Sequence, residues 1–205
     1  MKEQGIHLVP IIDAGVKIEE GYDVYEEGVR SNYFCKHAQG GEYVGAVWPG
    51  KVHFPDFLQP EVRKWFGKKY SVLTKLGIEG FWNDMNEPAI FYTEDRLADT
   101  LAEIKKLTSG NMGINEYFTF TGMVAGLNGN KGDYDKFYHN VGGKMIKHSD
   151  VHNLYGMNMT RSAFEALQEI CPEKRTLFFS RSSYIGAHRC GGIWQGDNKS
   201  WWSHI

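Results

Sequence analysis

Four short apolar runs, each handing over to polar residues, set the frame of this chain. Residues 6–12 (IHLVPII) lead into Asp13-Ala14-Gly15, and residues 78–82 deliver Asp84. Residues 176–179 deliver Ser180-Arg181-Ser182, and residues 190–194 deliver Asp197. A near-continuous apolar run of this length marks a strand buried on both faces, as in a parallel sheet. Pro10 is awkward inside a central strand, because it has no N–H for the ladder. Helical patterns separate the first three runs. Pro60 opens one that places Val62, Trp65, Phe66, Leu73 and Leu76 on one face before Gly77 closes it. A short charged helix is expected over 94–107. A longer one is expected over 145–170, with Leu154, Met157, Phe164 and Leu167 at helical spacing and Cys171-Pro172 as its stop.

Strands alternating with helices predict a parallel α/β fold. The polar candidates all follow strands, at the end where (β/α)8 barrels carry their active sites. A doubly wound open sheet also binds ligands at strand C-termini, but no glycine fingerprint follows the first strand. Four strands are half of a barrel, which takes about 250 residues. The expectation is therefore a partial (β/α)8 TIM barrel spanning 1–205 and belonging to a longer protein. Residues 13–60 read as a long irregular connection, and 108–143 as an irregular, Gly/Asn-rich insertion.

Composition narrows the function classes. Hydrophobic residues make up 41% of the 205, enough for a sizeable core, and the formal net charge of −2 argues against nucleic acid or an anionic membrane as partner. No apolar stretch reaches the roughly 18 residues of a membrane span. Cys35, Cys171 and Cys190 form neither a disulfide framework nor a CxxC metal pattern, and residues 1–4 do not resemble a signal peptide. A reducing, cytoplasmic setting is the expectation. On that reading the glycosylation patterns at Asn158 and Asn198 are coincidental.

Two segments carry the chemistry: Gly80-Phe81-Trp82-Asn83-Asp84-Met85-Asn86-Glu87 and Trp194-Gln195-Gly196-Asp197-Asn198-Lys199-Ser200. Two carboxylates held apart on a rigid scaffold are what glycosidic bond cleavage requires. Asp84 is a candidate nucleophile; capping the next helix, or pairing with an arginine, is its plainer role. Asp197 has Trp194, Trp201 and Trp202 near it in sequence. Indole rings around a carboxyl would raise its pKa and suit it to general acid work, against a plain solvated turn. Arg181 can hold sugar hydroxyls or steady a carboxylate. Trp82, Trp194 and Trp48 offer faces for sugar stacking, and Met85 can line a pocket, though core packing is the commoner use of all four. His148 and His152 stand i, i+4 but lack the glutamate of an HExxH motif, so neither a metal nor any other cofactor is expected. Ser182 and Ser183 are outside any GxSxG elbow.

Together these segments resemble glycoside hydrolase family 31, the α-glucosidase family. Residues 80–87 resemble its nucleophile signature. Arg181-Ser182, Gly186, Arg189, Trp194, Gly196-Asp197-Asn198 and Ser200 resemble its acid/base region in order and spacing. Trp48-Pro49-Gly50 and Phe54-Pro55-Asp56-Phe57 resemble the stretch before the nucleophile strand. His188 departs from the glutamine frequent there. The resemblance implies a (β/α)8 barrel of which the present strands are the third to the sixth. It also implies Asp84 as nucleophile, Asp197 as acid/base, and Arg181, Trp82, Met85 and Trp194 as substrate-binding residues. The implied reaction is retaining, exo-acting hydrolysis of α-linked glucose from oligosaccharides. An α-xylosidase, a non-catalytic carbohydrate-binding relative and a metal-dependent hydrolase stay open as alternatives. A chain with open sheet edges is expected to fold poorly and to lack activity by itself.

Overall fold

The computed structural model describes residues 2–204, with the side chain of Lys2 undescribed. In chain order, β1 (Ile11–Asp13) and β2 (Val16–Lys17) precede α1 (Asp23–Arg30). Then follow β3 (Lys36–His37), β4 (Gly45–Val47), β5 (Gly50–His53), α2 (Pro60–Lys69) and α3 (Ser71–Thr74). β6 (Gly80–Asp84) leads to α4 (Glu94–Leu107), α5 (Ile114–Ala125), β7 (Phe137–Val141) and β8 (Lys144–Lys147). The chain closes with α6 (His148–Ile170), β9 (Leu177–Ser180) and β10 (Gly192–Ile193).

The central sheet is parallel, and its spatial order, β1-β6-β9-β10, repeats the order in the chain. Each strand adds to the same edge as the last. A doubly wound sheet reverses direction at a switch point; this sheet does not, which is the winding of a barrel wall. The four expected strands are therefore present, with shifted limits. The first is only the last part of its apolar run: Pro10 cannot donate, although its carbonyl still accepts from the Trp82 N–H at 3.0 Å. β6 runs two residues further than expected, so Asp84 is the last strand residue, paired in register with Asp13.

α2 and α6 pack against each other, and α6 also against β9 of this sheet. Of the apolar set expected for α6, Leu167 is buried, while Leu154, Met157 and Phe164 are only partly so. Its buried face is built of small groups, Gly156, Ser162, Ala163 and Ala166, with Tyr155, Met159 and Leu167. Small residues let the helices approach closely. A Cβ on Gly67 of α2 would sit 2.6 Å from the Ala166 Cβ, and Ser162 Oγ donates to the Arg63 carbonyl at 2.6 Å. The expected helix over 60–76 is divided at Tyr70 into α2 and α3, and α6 starts at His148 because residues 144–147 form a strand.

Both segments expected to be irregular hold regular structure. Within 13–60, β2, β5 and β4 make an antiparallel sheet. Within 108–143, α5 forms although Thr, Phe, Tyr and Gly are modest helix formers. Its start is set by Glu116, whose carboxylate accepts from the Gly113 N–H at 2.8 Å. β7 then pairs with β3 and β8. Aromatic packing ties this sheet to the body: Phe137 is fully buried and stacks on Tyr43 and His148, with ring centroids 4.6 and 4.3 Å apart.

Candidate active site

The C-terminal ends of β1, β6 and β9 bring Asp13, Asp84 and Arg181 together. Asp84 is mostly buried, and its Oδ1 accepts from the Met85 N–H at 2.8 Å. Met85 stands in the left-handed region (φ 54°) with its side chain buried. A non-glycine residue there is strained and persists only where its surroundings hold it. Asn83 and Asn86, both fully buried, do the holding. Asn83 Oδ1 accepts from the Tyr70 hydroxyl at 2.6 Å. Asn86 donates to Ser180 Oγ at 2.9 Å and accepts from the Ser182 N–H at 3.1 Å. The β6 and β9 ends are thus sewn together by side chains of the signature segment.

Arg181 is the hub. Its Nη1 lies 3.0 Å from Asp84 Oδ1, and its Nε and Nη2 donate to the two oxygens of Glu87 at 2.9 and 2.8 Å. Ser182 Oγ donates to Glu87 Oε1 at 2.7 Å. Burial works to raise the Glu87 carboxyl, but the bonds from Arg181 and Ser182 and the guanidinium charge outweigh it and leave the pKa lowered. Burial disfavours the Arg181 cation, and the charges of Glu87, Asp84 and Asp197 more than restore it. Of the two sequence expectations for Arg181, its fork steadies carboxylates. Nη2 also touches Met85 Sδ at 3.3 Å, and the guanidinium lies 5.9 Å from the Trp194 ring centre.

The aromatic candidates divide. Trp82 stacks on Phe179 and meets Trp194 edge-on, with centroids 5.7 and 4.6 Å apart, and its buried Nε1–H has no partner. Trp48 is 74% exposed and meets Phe91 edge-on. Asp197 follows Gly196, which is in the left-handed region (φ 85°) and lies against the Arg181 stem: a Cβ there would be 3.3 Å from Arg181 Cδ. Asp197 therefore belongs to the same neighbourhood. The expected indole surround is corrected, however. Trp201 and Trp202 are 63% and 91% exposed, and Asp197 is itself exposed.

Asp13 is a site residue that the sequence pattern does not single out, serving there only to mark the end of a strand. Burial and the neighbouring Asp84 charge raise its pKa against the pull of Arg181, and its Oδ1 is buried without a partner. Its position at the end of an apolar run, like that of Asp84, was the available signal.

Cys35, Asp56 and His139 bring donor atoms within 4.8 Å of one another in full burial. The Asp56 Oδ1 and His139 Nδ1 are 2.6 Å apart. Ligands of one tetrahedral zinc stand about 3.4 Å apart, given bonds of about 2.1 Å. The spacing is that of a hydrogen bond. Burial also pushes the Cys35 thiol well up, which keeps its proton. His148 and His152 are bonded to each other rather than poised as a ligand pair.

A singly wound parallel wall with carboxylates at its C-terminal edge defines a piece of a catalytic barrel. The whole chain, residues 1–205, matches the family described as "Glycosyl hydrolases family 31 TIM-barrel domain", and it belongs to that family. It is 36% identical over 205 residues to "Alpha-glucosidase 2" of Bacillus thermoamyloliquefaciens, covering all of this chain and 22% of that protein. It is 30% identical over 203 residues to "Neutral alpha-glucosidase AB" of Dictyostelium discoideum, covering 97% of this chain and 18% of that one. A family 31 α-glucosidase from Bacteroides thetaiotaomicron superposes with a TM-score of 0.63 at 28% identity, over 99% of this chain and 26% of the other. The chain thus spans about a fifth to a quarter of these relatives. No helix among the described residues is long and apolar enough to cross a membrane.

Proposed function

We propose that the protein carrying this chain is a retaining, exo-acting α-glucosidase that removes glucose from the non-reducing ends of α-linked oligosaccharides. Asp84 is the nucleophile. It attacks the anomeric carbon while Asp197 protonates the departing oxygen. The glycosyl–Asp84 ester is then cleaved by water that Asp197 deprotonates, so that net retention results. The observation that carries this reading is the Asp84 carboxylate at the end of β6. It is oriented by its own following N–H and by Arg181 in a barrel of this family. The relatives' names, α-glucosidases, support the substrate class. Trp82, Met85 and Trp194 form the apolar wall beside Arg181, suited to the less polar face of a sugar ring. Asp13, with an unpaired buried oxygen beside Asp84, is placed to accept a bond from a sugar hydroxyl.

The test follows the anomer first released from an aryl α-glucoside by the full-length protein, using NMR, with Asp84→Ala alongside. α-Glucose first, with turnover lost in the variant, is the expected result. β-Glucose first, or undiminished turnover in the variant, overturns the mechanism. Turnover of α-xylosides alone reassigns the substrate.

A further inference from the structure

A chain of hydrogen-bonded imidazoles runs from the buried Asp56 toward the active-site turn. Asp56 is fully buried. Its Oδ2 accepts from the Asn140 N–H and from Gln59 Nε2, each at 2.7 Å, and its Oδ1 meets His139 Nδ1 at 2.6 Å. His139 Nε2 meets His148 Nδ1 at 2.9 Å, and His148 Nε2 meets His152 Nδ1 at 2.9 Å. A carboxylate only accepts, so His139 carries its proton on Nδ1. With a neutral His139 ring its Nε2 accepts, His148 donates from Nδ1, and His152 does likewise. One carboxylate therefore sets the tautomer of three rings in series.

The chain ends where the site begins. His148, His152 and Gly156 occupy one face of α6, at i, i+4 and i+8. A Cβ on Gly156 would lie 2.6 Å from the Asn86 carbonyl, so this face rests directly on the Asn86–Glu87 turn. His152 is close enough to feel the Glu87 charge. Tyr134 packs on both rings, 5.4 and 4.7 Å away, and closes them off. Glu87 in turn grips Arg181, which faces Asp84.

We infer that Asp56, His139, His148 and His152 are positioning residues for the proposed glycosidase reaction. They lock the α6 face that seats the Asn86–Glu87 turn, and through it the Glu87–Arg181 grip on the Asp84 side of the site. The inference rests on the glycosidase reading for its kinetic test, not for its structural one.

The experiment uses the full-length protein. His148→Phe keeps the ring volume against Phe137 and removes both hydrogen bonds. It is combined in a double-mutant cycle with Glu87→Gln. Turnover of an aryl α-glucoside is expected to fall about tenfold in His148→Phe, with KM little changed. In the Glu87→Gln background the further loss is expected to shrink below about twofold, because both changes act through one grip. Hydrogen exchange is measured in parallel. The peptides covering 84–88 and 180–183 are expected to exchange faster in His148→Phe, while those covering α2 do not. A kcat loss that multiplies fully in both backgrounds overturns the inference, as does unchanged exchange at 84–88. Should His148→Phe fail to fold, His152→Gln, at the half-buried outer end, is put through the same cycle, and the same two outcomes overturn the inference. A wild type that hydrolyses no α-glucoside sinks the glycosidase reading alone, and the exchange pattern then decides the positioning role.

Discussion

Arg181 grips Glu87 with two parallel bonds, 2.9 and 2.8 Å long, from residues 94 positions apart in the chain. Bidentate geometry of this kind adds orientation to energy, since the planar fork admits one arrangement of the carboxylate. Lysine has the charge without the fork. Arg181→Lys in the full-length protein is therefore expected to reduce kcat/KM on an aryl α-glucoside by about 100-fold, because the facing Asp84 loses its fixed partner. Retained activity in the lysine variant would show that charge alone suffices at this position.

The buried histidine gives the fold an acid-sensitive component. Burial and the two neighbouring imidazoles press the His148 pKa from 6.5 down to about 2. The unfolded chain takes up this proton below about pH 6.5, while the folded chain resists it until about pH 2. The stability that a neutral His148 contributes is thus complete above pH 6.5 and is lost progressively as pH falls through that window. Melting temperatures of the wild type measured from pH 7 to 4 are expected to fall more steeply than those of His148→Phe, by at most the roughly 1.4 kcal/mol per pH unit of one proton. Parallel curves would refute the assignment.

Close helix approach makes a second, independent test. Gly67→Ala forces a methyl toward the Ala166 Cβ and the Ser162 carbonyl, and is expected to destabilise by about 1–3 kcal/mol. Gly122 in α5 has open space around its missing Cβ, so Gly122→Ala is expected to stabilise by up to about 1 kcal/mol through helix propensity. Chemical denaturation of the two variants should move in opposite directions.

The open edges of the parallel sheet bear on the 205-residue chain taken alone. Ile11 of β1 and Ile193 of β10 are 52% and 54% exposed, as are Ile6 and Leu8 beside them at 50% and 51%. Exposed apolar edges of this kind invite association. The isolated chain is expected to aggregate or to melt without a sharp transition, and to show no turnover. A monomeric product with a single cooperative melt would overturn this expectation.

Much of the site was legible because its residues are contiguous in sequence. The run that ends in Asp84 announces a buried strand, and the segment that follows it resembles a family signature. The sheet was legible for the same reason, through apolar runs that need burial on both faces. Other parts were not. Glu87, in the same segment as Asp84, carried no assigned role in the sequence and turns out to be the anchor of Arg181. Asp13 closes the first run as Asp84 closes the second, yet nothing local says that the two strands are neighbours. The segment 108–143 looked irregular because it is rich in Gly and Asn, and α5, none of whose residues is buried, is started by the Glu116 cap.

The sequence by itself determined a parallel α/β arrangement with acidic residues at strand ends, because periodicity and apolar run length are local properties, and its resemblance to family 31 pointed to the barrel. Only the tertiary structure decided which polar groups meet. Arg181 reaches both Asp84 and Glu87 because β6 and β9 are adjacent and in register, and Asp56 finds His139 across 83 residues of chain. Burial then decides what those groups do. A polar side chain withdrawn from water must find a partner, and the partner available in the fold turns an arginine into a clamp and three histidines into a chain of one tautomer.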